Sequence, residues 1–221
     1  MRSDSRAGAT RHFLVAHRAG NDLGRLRSAE AAGVAVVEAD VYLFRNRLEV
    51  RHLKTLGPLP VLWDRWELAN PFARRLVLAE LLAELAPGTQ LVLDLKGRRR
   101  ELAARVLDEV AGRDDVTICS RNWRLLDALR CAGVRAVYSV GSRRQLRALL
   151  HRFAAQRLDG VSVHERLLTH ATVSELLTLT GLVFSWPINS LERGSQLVEW
   201  GVRGLITDDL PAVAGLAPTA P

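Results

Sequence analysis

Glu38 and Asp40 stand two residues apart in Val37-Glu38-Ala39-Asp40-Val41, with His17-Arg18 before them and Arg51-His52 after them. They close an apolar run that begins at Val34. Such a run reads as a strand, and a period of two puts both carboxylates on one face. Two charges on a largely buried strand are costly unless a metal or another cation compensates them. Proteins accept that cost mainly where the charge does chemistry. Asp94 and Lys96 repeat the spacing on a second apolar run.

Glu38, Asp40 and Asp94 together offer three hard oxygen donors. Such a set suits one divalent cation, Mg²⁺ or Ca²⁺, completed by water and substrate oxygens. Zinc would more readily recruit the histidines. Arg18 and Lys96 can neutralise the non-bridging oxygens of a phosphoryl group. His17 and His52 then supply the acid and base of a displacement at phosphorus. The alternative for Asp94 and Lys96 is an ion pair without metal. For the histidines it is a hydrogen-bonded core position.

These residues need a scaffold that brings their strand ends together. Short apolar runs alternate with amphipathic stretches from Phe13 onward. Strands are expected at Phe13–His17, Val34–Val41, Leu91–Lys96, Val116–Ser120, Arg135–Val140, Gly160–His164, Leu182–Trp186 and Gly204–Asp208. Asp22 can cap the first helix, which stops near Gly33. Further helices are expected at Ala73–Leu85, Glu101–Val110, Trp123–Leu129, Gln145–Gln156, within Leu167–Thr180, and at Leu191–Trp200. Tyr42–His52 folds back through Arg45-Asn46-Arg47 as a hairpin, and Pro58, Pro60 and Pro71 mark an irregular connection.

Eight strands alternating with helices argue for a parallel sheet, and the expected fold is a single (β/α)8 TIM barrel with a small hairpin excursion after the second strand. An open doubly wound sheet is the runner-up, but no glycine-rich fingerprint follows any strand. The expected layout is a flexible leader at 1–12, the barrel at 13–214 and a flexible tail at 215–221. In such a barrel chemistry sits at the carboxyl ends of the strands. The residues found at those ends here add His164, Trp186 and Asn189 as candidates for lining the pocket.

The 221 residues carry a net charge of +7, but of the 31 basic side chains only Lys54 and Lys96 are lysines. An arginine-rich composition explains that charge better than a nucleic-acid surface, since no basic stripe interleaved with aromatics and no nucleic-acid motif is present. There is no apolar run of transmembrane length, and, with no apolar core in the polar segment 1–11, no secretory leader is expected. Cys119 and Cys131 have no metal spacing and suggest a reducing, cytoplasmic setting. Oligomeric state is not legible.

Taken together, these residues resemble the glycerophosphodiester phosphodiesterase family over nearly the whole chain. The similar motifs are His17-Arg18-Ala19, Gly33 followed by Glu38-Ala39-Asp40-Val41, the hairpin return Leu48-Glu49-Val50-Arg51-His52, and Asp94-Leu95-Lys96. Trp186-Pro187-Ile188-Asn189 and Gly201-Val202-Arg203-Gly204-Leu205-Ile206-Thr207-Asp208-Asp209-Leu210-Pro211 complete them. The resemblance implies a TIM barrel holding one divalent cation at Glu38, Asp40 and Asp94. It implies His17 and His52 as acid and base, and Arg18 and Lys96 on the phosphate.

The implied reaction is hydrolysis of a small-molecule glycerophosphodiester to glycerol 3-phosphate and an alcohol, a step of lipid metabolism. The chain departs from the family pattern at Ala19, with Gly20 one place late, at Leu53 after His52, where an Asp is usual, and at Asp94, where Glu is usual. The family's Pro-Glu-Asn-Thr stretch is missing, and the resemblance implies Asn21 as its partial substitute lining the pocket. Two alternatives accompany this reading. One is a lysophospholipase D-like enzyme with an apolar wall of Leu62, Trp63 and Trp66. The other is a barrel that binds phosphodiesters or anionic headgroups without turning them over.

Overall fold

A computed structural model describes residues 12–55, 62–64, 67–69 and 74–217, with side chains at 12–54 and 74–217. The readings made at 1–11, at 218–221, at Pro58, Pro60 and Pro71, and for the Leu62–Trp63–Trp66 wall fall outside the described residues or side chains. Two compact units make up the chain, Ala16–Ser139 and Met1–Val15 with Val140–Pro221.

The main sheet comprises β1 (Phe13–Ala16), β2 (Val36–Phe44), β3 (Arg47–Val50), β7 (Gln90–Lys96), β8 (Val116–Ser120), β9 (Ala136–Val140), β10 (Gly160–His164), β11 (Val183–Trp186) and β12 (Gly204–Thr207). Between β3 and β7 lie the short strands β4 (Lys54–Thr55), β5 (Leu62–Asp64) and β6 (Glu67–Ala69). The order in the main sheet is β1-β12-β11-β10-β9-β8-β7-β2-β3, and β1 also pairs with β2. Eight strands in sequential order with helices between them form the expected (β/α)8 barrel. β3 is the hairpin strand added to β2.

In the unit Ala16–Ser139, β2 runs parallel to β7, with Glu38 opposite Val92 and Asp40 opposite Asp94. Its apolar residues Val36, Val37, Ala39 and Val41 are buried, as expected of a parallel strand covered on both faces. β2 continues to Phe44, three residues past the expected end, because it pairs antiparallel with β3. The two-residue turn between them holds Arg45 at φ 45° and Asn46 at φ 66°. Paired positive φ values match the right-handed twist of the flanking strands.

Helix α1 (Leu23–Ala31) starts where Asp22 accepts the Arg25 N–H at 2.9 Å. Helix α2 (Leu78–Glu84) begins later than the Ala73 start expected from pattern. Residues 74–76 are not helical. Val77 forms a bridge with Glu49, and the Leu76 carbonyl accepts the Val50 N–H at 2.9 Å, so this stretch covers the edge of β3 instead. The connection before it is not wholly irregular, since β4, β5 and β6 form a small antiparallel sheet. Helices α3 (Glu101–Glu109) and α4 (Trp123–Arg130) bury Leu102, Val106, Leu125, Leu126 and Leu129.

In the other unit, β10, β11 and β12 are parallel neighbours. Helices α5 (Arg143–Arg152), α6 (His170–Leu179) and α7 (Leu191–Glu199) are each capped by a hydroxyl, from Ser142, Thr169 and Ser190. α5 was expected at Gln145–Gln156. The Ser142 cap moves its start forward, and buried Phe153 closes it early. Gly204 lies under Phe184, whose ring a Cβ there would meet at 2.1 Å. The described chain starts at His12, whose Nε2 lies 2.9 Å from the Leu216 carbonyl oxygen; Leu216 itself is buried.

Candidate active site

In the unit Ala16–Ser139, β2, β7 and the segments that follow β1 and β3 contribute polar side chains to one cluster. β1 ends at Ala16 and passes directly into His17 and Arg18. Arg18 takes a left-handed conformation, φ 55°, which starts the short 3-10 turn Ala19–Asn21. Its backbone N–H donates to Glu38 Oε2 at 2.7 Å. Gly20 packs so close to β2 that a Cβ would sit 2.8 Å from the Ala39 Cβ and 3.3 Å from the Glu38 carbonyl oxygen. The glycine is therefore needed for contact, and it delivers the next residue, Asn21, onto Asp40. The Asn21 amide nitrogen donates to Asp40 Oδ2 at 2.8 Å, and its oxygen accepts the Asp40 backbone N–H at 2.8 Å.

Glu38 and Asp40 are buried, with 4% and 0% of their surface exposed. Glu38, Asp40 and Asp94 each present a carboxylate oxygen, and the three oxygens lie within 4.8 Å of one another. Lys96 bridges two of these acids. Its ammonium lies 2.8 Å from Asp40 Oδ1, outside hydrogen-bond angles, and it hydrogen-bonds Asp94 Oδ2. His52 Nδ1 lies 3.2 Å from Asp40 Oδ2, His17 Nε2 lies 3.9 Å from Glu38 Oε2, and Arg18 Nε is 3.8 Å from Asp40 Oδ2.

The electrostatics divide the acids. Burial, with the Asp40 charge added, pushes Glu38 well above the ordinary carboxylate range against the pull of Lys96. Burial likewise raises Asp94, again against Lys96. Burial would also raise Asp40, but the His52 hydrogen bond, the nearby Lys96 charge and the Asn21 amide outweigh it and hold Asp40 low. Burial works against the Lys96 charge, yet Asp94, Asp40 and Glu38 together raise its pKa. Because Asp40 is ionised, the acceptor faces the His52 Nδ1–H, which leaves Nε2 as the other tautomeric nitrogen.

A divalent cation fits this donor set. Asp94 Oδ1 is buried and accepts no hydrogen bond among the described residues. Orphaned buried oxygens are rare enough to need a reason. The three oxygens converge, and all belong to the hard class that Mg²⁺ and Ca²⁺ take. Buried Arg18 Nε likewise lacks a hydrogen-bond acceptor among the described residues, so one donor is available for an anion beside the acids.

The other expected residues lie in the second unit. His164 and Trp186 pack edge to face, with ring centroids 4.7 Å apart. His164 Nδ1 accepts the Arg166 N–H at 3.2 Å. The Asn189 side-chain oxygen accepts from Thr207 Oγ1 and from the Asp208 N–H, each at 3.0 Å, so Asn189 ties down the end of β12.

Sequence reasoning assigned no role to Arg51 or Glu49. Both are buried, and Arg51 Nε donates to Glu49 Oε2 at 2.7 Å. The Arg51 guanidinium also lies 4.3 Å from the Tyr42 ring centroid, a cation–π distance. The Arg51 N–H donates to the Asp40 carbonyl at 3.0 Å. These contacts anchor the backbone that presents His52. The signal was present in the sequence, since opposite charges two apart on a short strand share a face.

No protein-family model matches the sequence, and no curated protein matches it. Solved structures do match in fold. A glycerophosphodiester phosphodiesterase from Thermotoga maritima superposes with a TM-score of 0.74 at 20% identity, over 93% of this chain and 98% of that one. A phosphodiesterase from Oleispira antarctica, solved with the product sn-glycerol-3-phosphate, gives 0.71 at 18% identity, over 92% and 96%. A putative glycerophosphoryl diester phosphodiesterase from Silicibacter pomeroyi gives 0.72 at 18%, over 93% and 92%. Over nearly its full length, the chain has the (β/α)8 fold of the solved glycerophosphodiester phosphodiesterases.

Proposed function

We propose that this protein is a metal-dependent phosphoric diester hydrolase that cleaves glycerophosphodiesters to glycerol 3-phosphate and an alcohol. One observation carries the reading: three carboxylate oxygens, two of them from buried acids, converge within 4.8 Å beside a histidine bonded to one of the acids. The fold shared with phosphodiesterases, one of them holding glycerol 3-phosphate, supports the same substrate class.

Glu38, Asp40 and Asp94 would hold one Mg²⁺ or Ca²⁺, which when bound offsets negative charge on the phosphoryl oxygens. Arg18 and Lys96 are the cations at hand for those oxygens. Asp40 orients the His52 ring through Nδ1, and Nε2 then takes or gives the proton in transfer with His17 as the partner of opposite role. The glycerol hydroxyl on the carbon next to the phosphoester carbon attacks phosphorus as the alcohol leaves, and water then opens the resulting cyclic phosphate to glycerol 3-phosphate, so the first nucleophile is already part of the bound molecule. Holding it in place removes much of the entropic barrier.

Turnover is favoured over a binding-only barrel because His52 has a carboxylate partner in Asp40, although Leu53 stands where the family has Asp. The free thiols Cys119 and Cys131 support a reducing, cytoplasmic setting. Among the described residues no helix is long and apolar enough to cross a membrane.

The test is glycerol 3-phosphate release from glycerophosphoethanolamine in EDTA, Mg²⁺ or Ca²⁺, with His17→Ala as the blank. Metal-dependent release that the variant loses supports the reaction and the site. Lysophosphatidylcholine is run in parallel with choline and lysophosphatidic acid as the products followed, and release from it alone moves the assignment to a lysophospholipase D-like enzyme. Tight diester binding with no product under any metal moves it to a binding barrel.

A further inference from the structure

Two hollows adjoin the acidic cluster within the unit Ala16–Ser139, and they differ in charge. The first, of about 940 Å³, is bordered by Arg18, Asn21 and His52, and its charges are mixed; Arg74 there pairs with Glu80 at 2.5 Å. The second, of about 740 Å³, opens beside Asp94 and Lys96 at the carboxyl ends of β7 and β8. Its rim carries Lys54, Arg98, Arg100, Arg121 and Arg124, and its single carboxylate is Asp94. Among the described residues, no ion pair engages the side chains of Arg98, Arg100 or Arg124, and all three are exposed. Asp94 is already bridged by Lys96, so the hollow as a whole is strongly cationic.

We infer that this second hollow selects diesters whose alcohol carries its own anionic group, a carboxylate or a phosphate monoester. The inference rests on the reading that the acidic cluster takes a glycerophosphodiester. The glycerol half of such a substrate is uncharged, so it offers nothing for these cations to meet. The alcohol half is where chemistry varies, and it leaves from the same phosphorus that Lys96 faces. A trimethylammonium alcohol would enter a field of its own sign, whereas an added anion would enter a complementary one. Mobile surface cations act mostly through this field, and salt weakens it.

Glycerophosphoserine and glycerophosphoethanolamine differ by one carboxylate and make a matched pair. Initial rates with Mg²⁺ should give glycerophosphoserine a kcat/KM about tenfold higher at low salt, shrinking toward parity as salt rises. The triple variant Arg98→Gln/Arg100→Gln/Arg124→Gln should erase most of that preference through KM, with kcat and the ethanolamine diester changed by less than about twofold. Equal wild-type kcat/KM values, or a variant that weakens both diesters alike, overturn the inference while leaving the hydrolase reading intact. Calorimetric titration of both diesters into His52→Ala protein, with metal, needs no turnover. Absence of product from any diester then counts against the proposed reaction. A preference for glycerophosphoserine in binding still supports the cationic hollow, and equal or absent binding rejects it.

Discussion

Asn21 and Asp40, nineteen residues apart, clasp each other through two hydrogen bonds of 2.8 Å, one to the side chain and one to the backbone of Asp40. The clasp fills one lone pair of Asp40 Oδ2 and fixes the rotamer of the acid that also meets His52 and Lys96. Asp40 is therefore the hub of the cluster, joined to a cation, a histidine and an amide at once. Glu38, two residues away on the same strand, has the opposite character, with burial raising its pKa.

That contrast gives the first prediction. Asp40→Asn removes a charge that its neighbours stabilise and leaves the Lys96 ammonium poorly compensated. Loss of one partner of a buried pair costs about 3 kcal/mol or more. Asp40→Asn should therefore lower the Tm of metal-free protein by several degrees. Glu38→Gln removes a charge that burial opposes and should hold or raise it. Both should weaken metal binding. Calorimetric Tm and metal titration of the two variants check this, and a more stable Asp40→Asn protein would contradict the hub role.

The second concerns pH. Glu38 and Asp94 have raised pKa values, so between the ordinary carboxylate range and those values the folded chain holds protons that the unfolded chain has released. Stability contributed by these two groups then falls as pH rises through that window. Asp40, held low, behaves oppositely. Its contribution is full above the ordinary carboxylate value and is lost as pH falls toward its folded value. In EDTA the Tm should rise as pH falls from neutral toward the ordinary carboxylate range and fall again below that range. Saturating metal should reverse the upper trend, because its ligands must be ionised. Thermal scans across pH with and without metal check both signs.

The third tests the close approach beneath Asn21. In Gly20→Ala the new methyl would meet the Ala39 Cβ at 2.8 Å, and both lie against backbone that has little room to shift. Overpacking of this kind costs about 1–3 kcal/mol, and displacement of Asn21 should lower kcat as well. Adding Ala39→Gly should restore most of the Tm and much of the rate. Failure of the double variant to recover either would show that Gly20 serves some other purpose.

The fourth addresses the histidines. His17→Ala and His52→Ala should each lower turnover at least about 100-fold, the usual scale for a general acid or base, with little change in Tm. Near-wild-type turnover in either variant removes that histidine from the mechanism.

Much of this was legible in the residues themselves. The spacing of Glu38, Asp40, Asp94 and Lys96 is local, and strand periodicity converts it directly into shared faces. The Asp22 cap and the turn before Arg47 were readable for the same reason, since each depends on a few neighbouring residues. Even Gly20, which looks like a glycine displaced by one position, marks a point where backbone approaches backbone.

What depended on distant partners was not legible. α2 starts at Leu78 because Val77 is drawn to the edge of β3, and helical periodicity alone has no term for that pull. The small β4–β6 sheet, the Arg51–Glu49 pair stacked on Tyr42 and the grip of Asn21 on Asp40 depend likewise on tertiary contact or pairing. The sequence by itself determined which acids, bases and cations the barrel carries, and at which strand ends. Only the tertiary structure decided which carboxylate keeps its charge. Burial raises all three acids, and the difference among them comes from neighbours that the fold brings within hydrogen-bond distance.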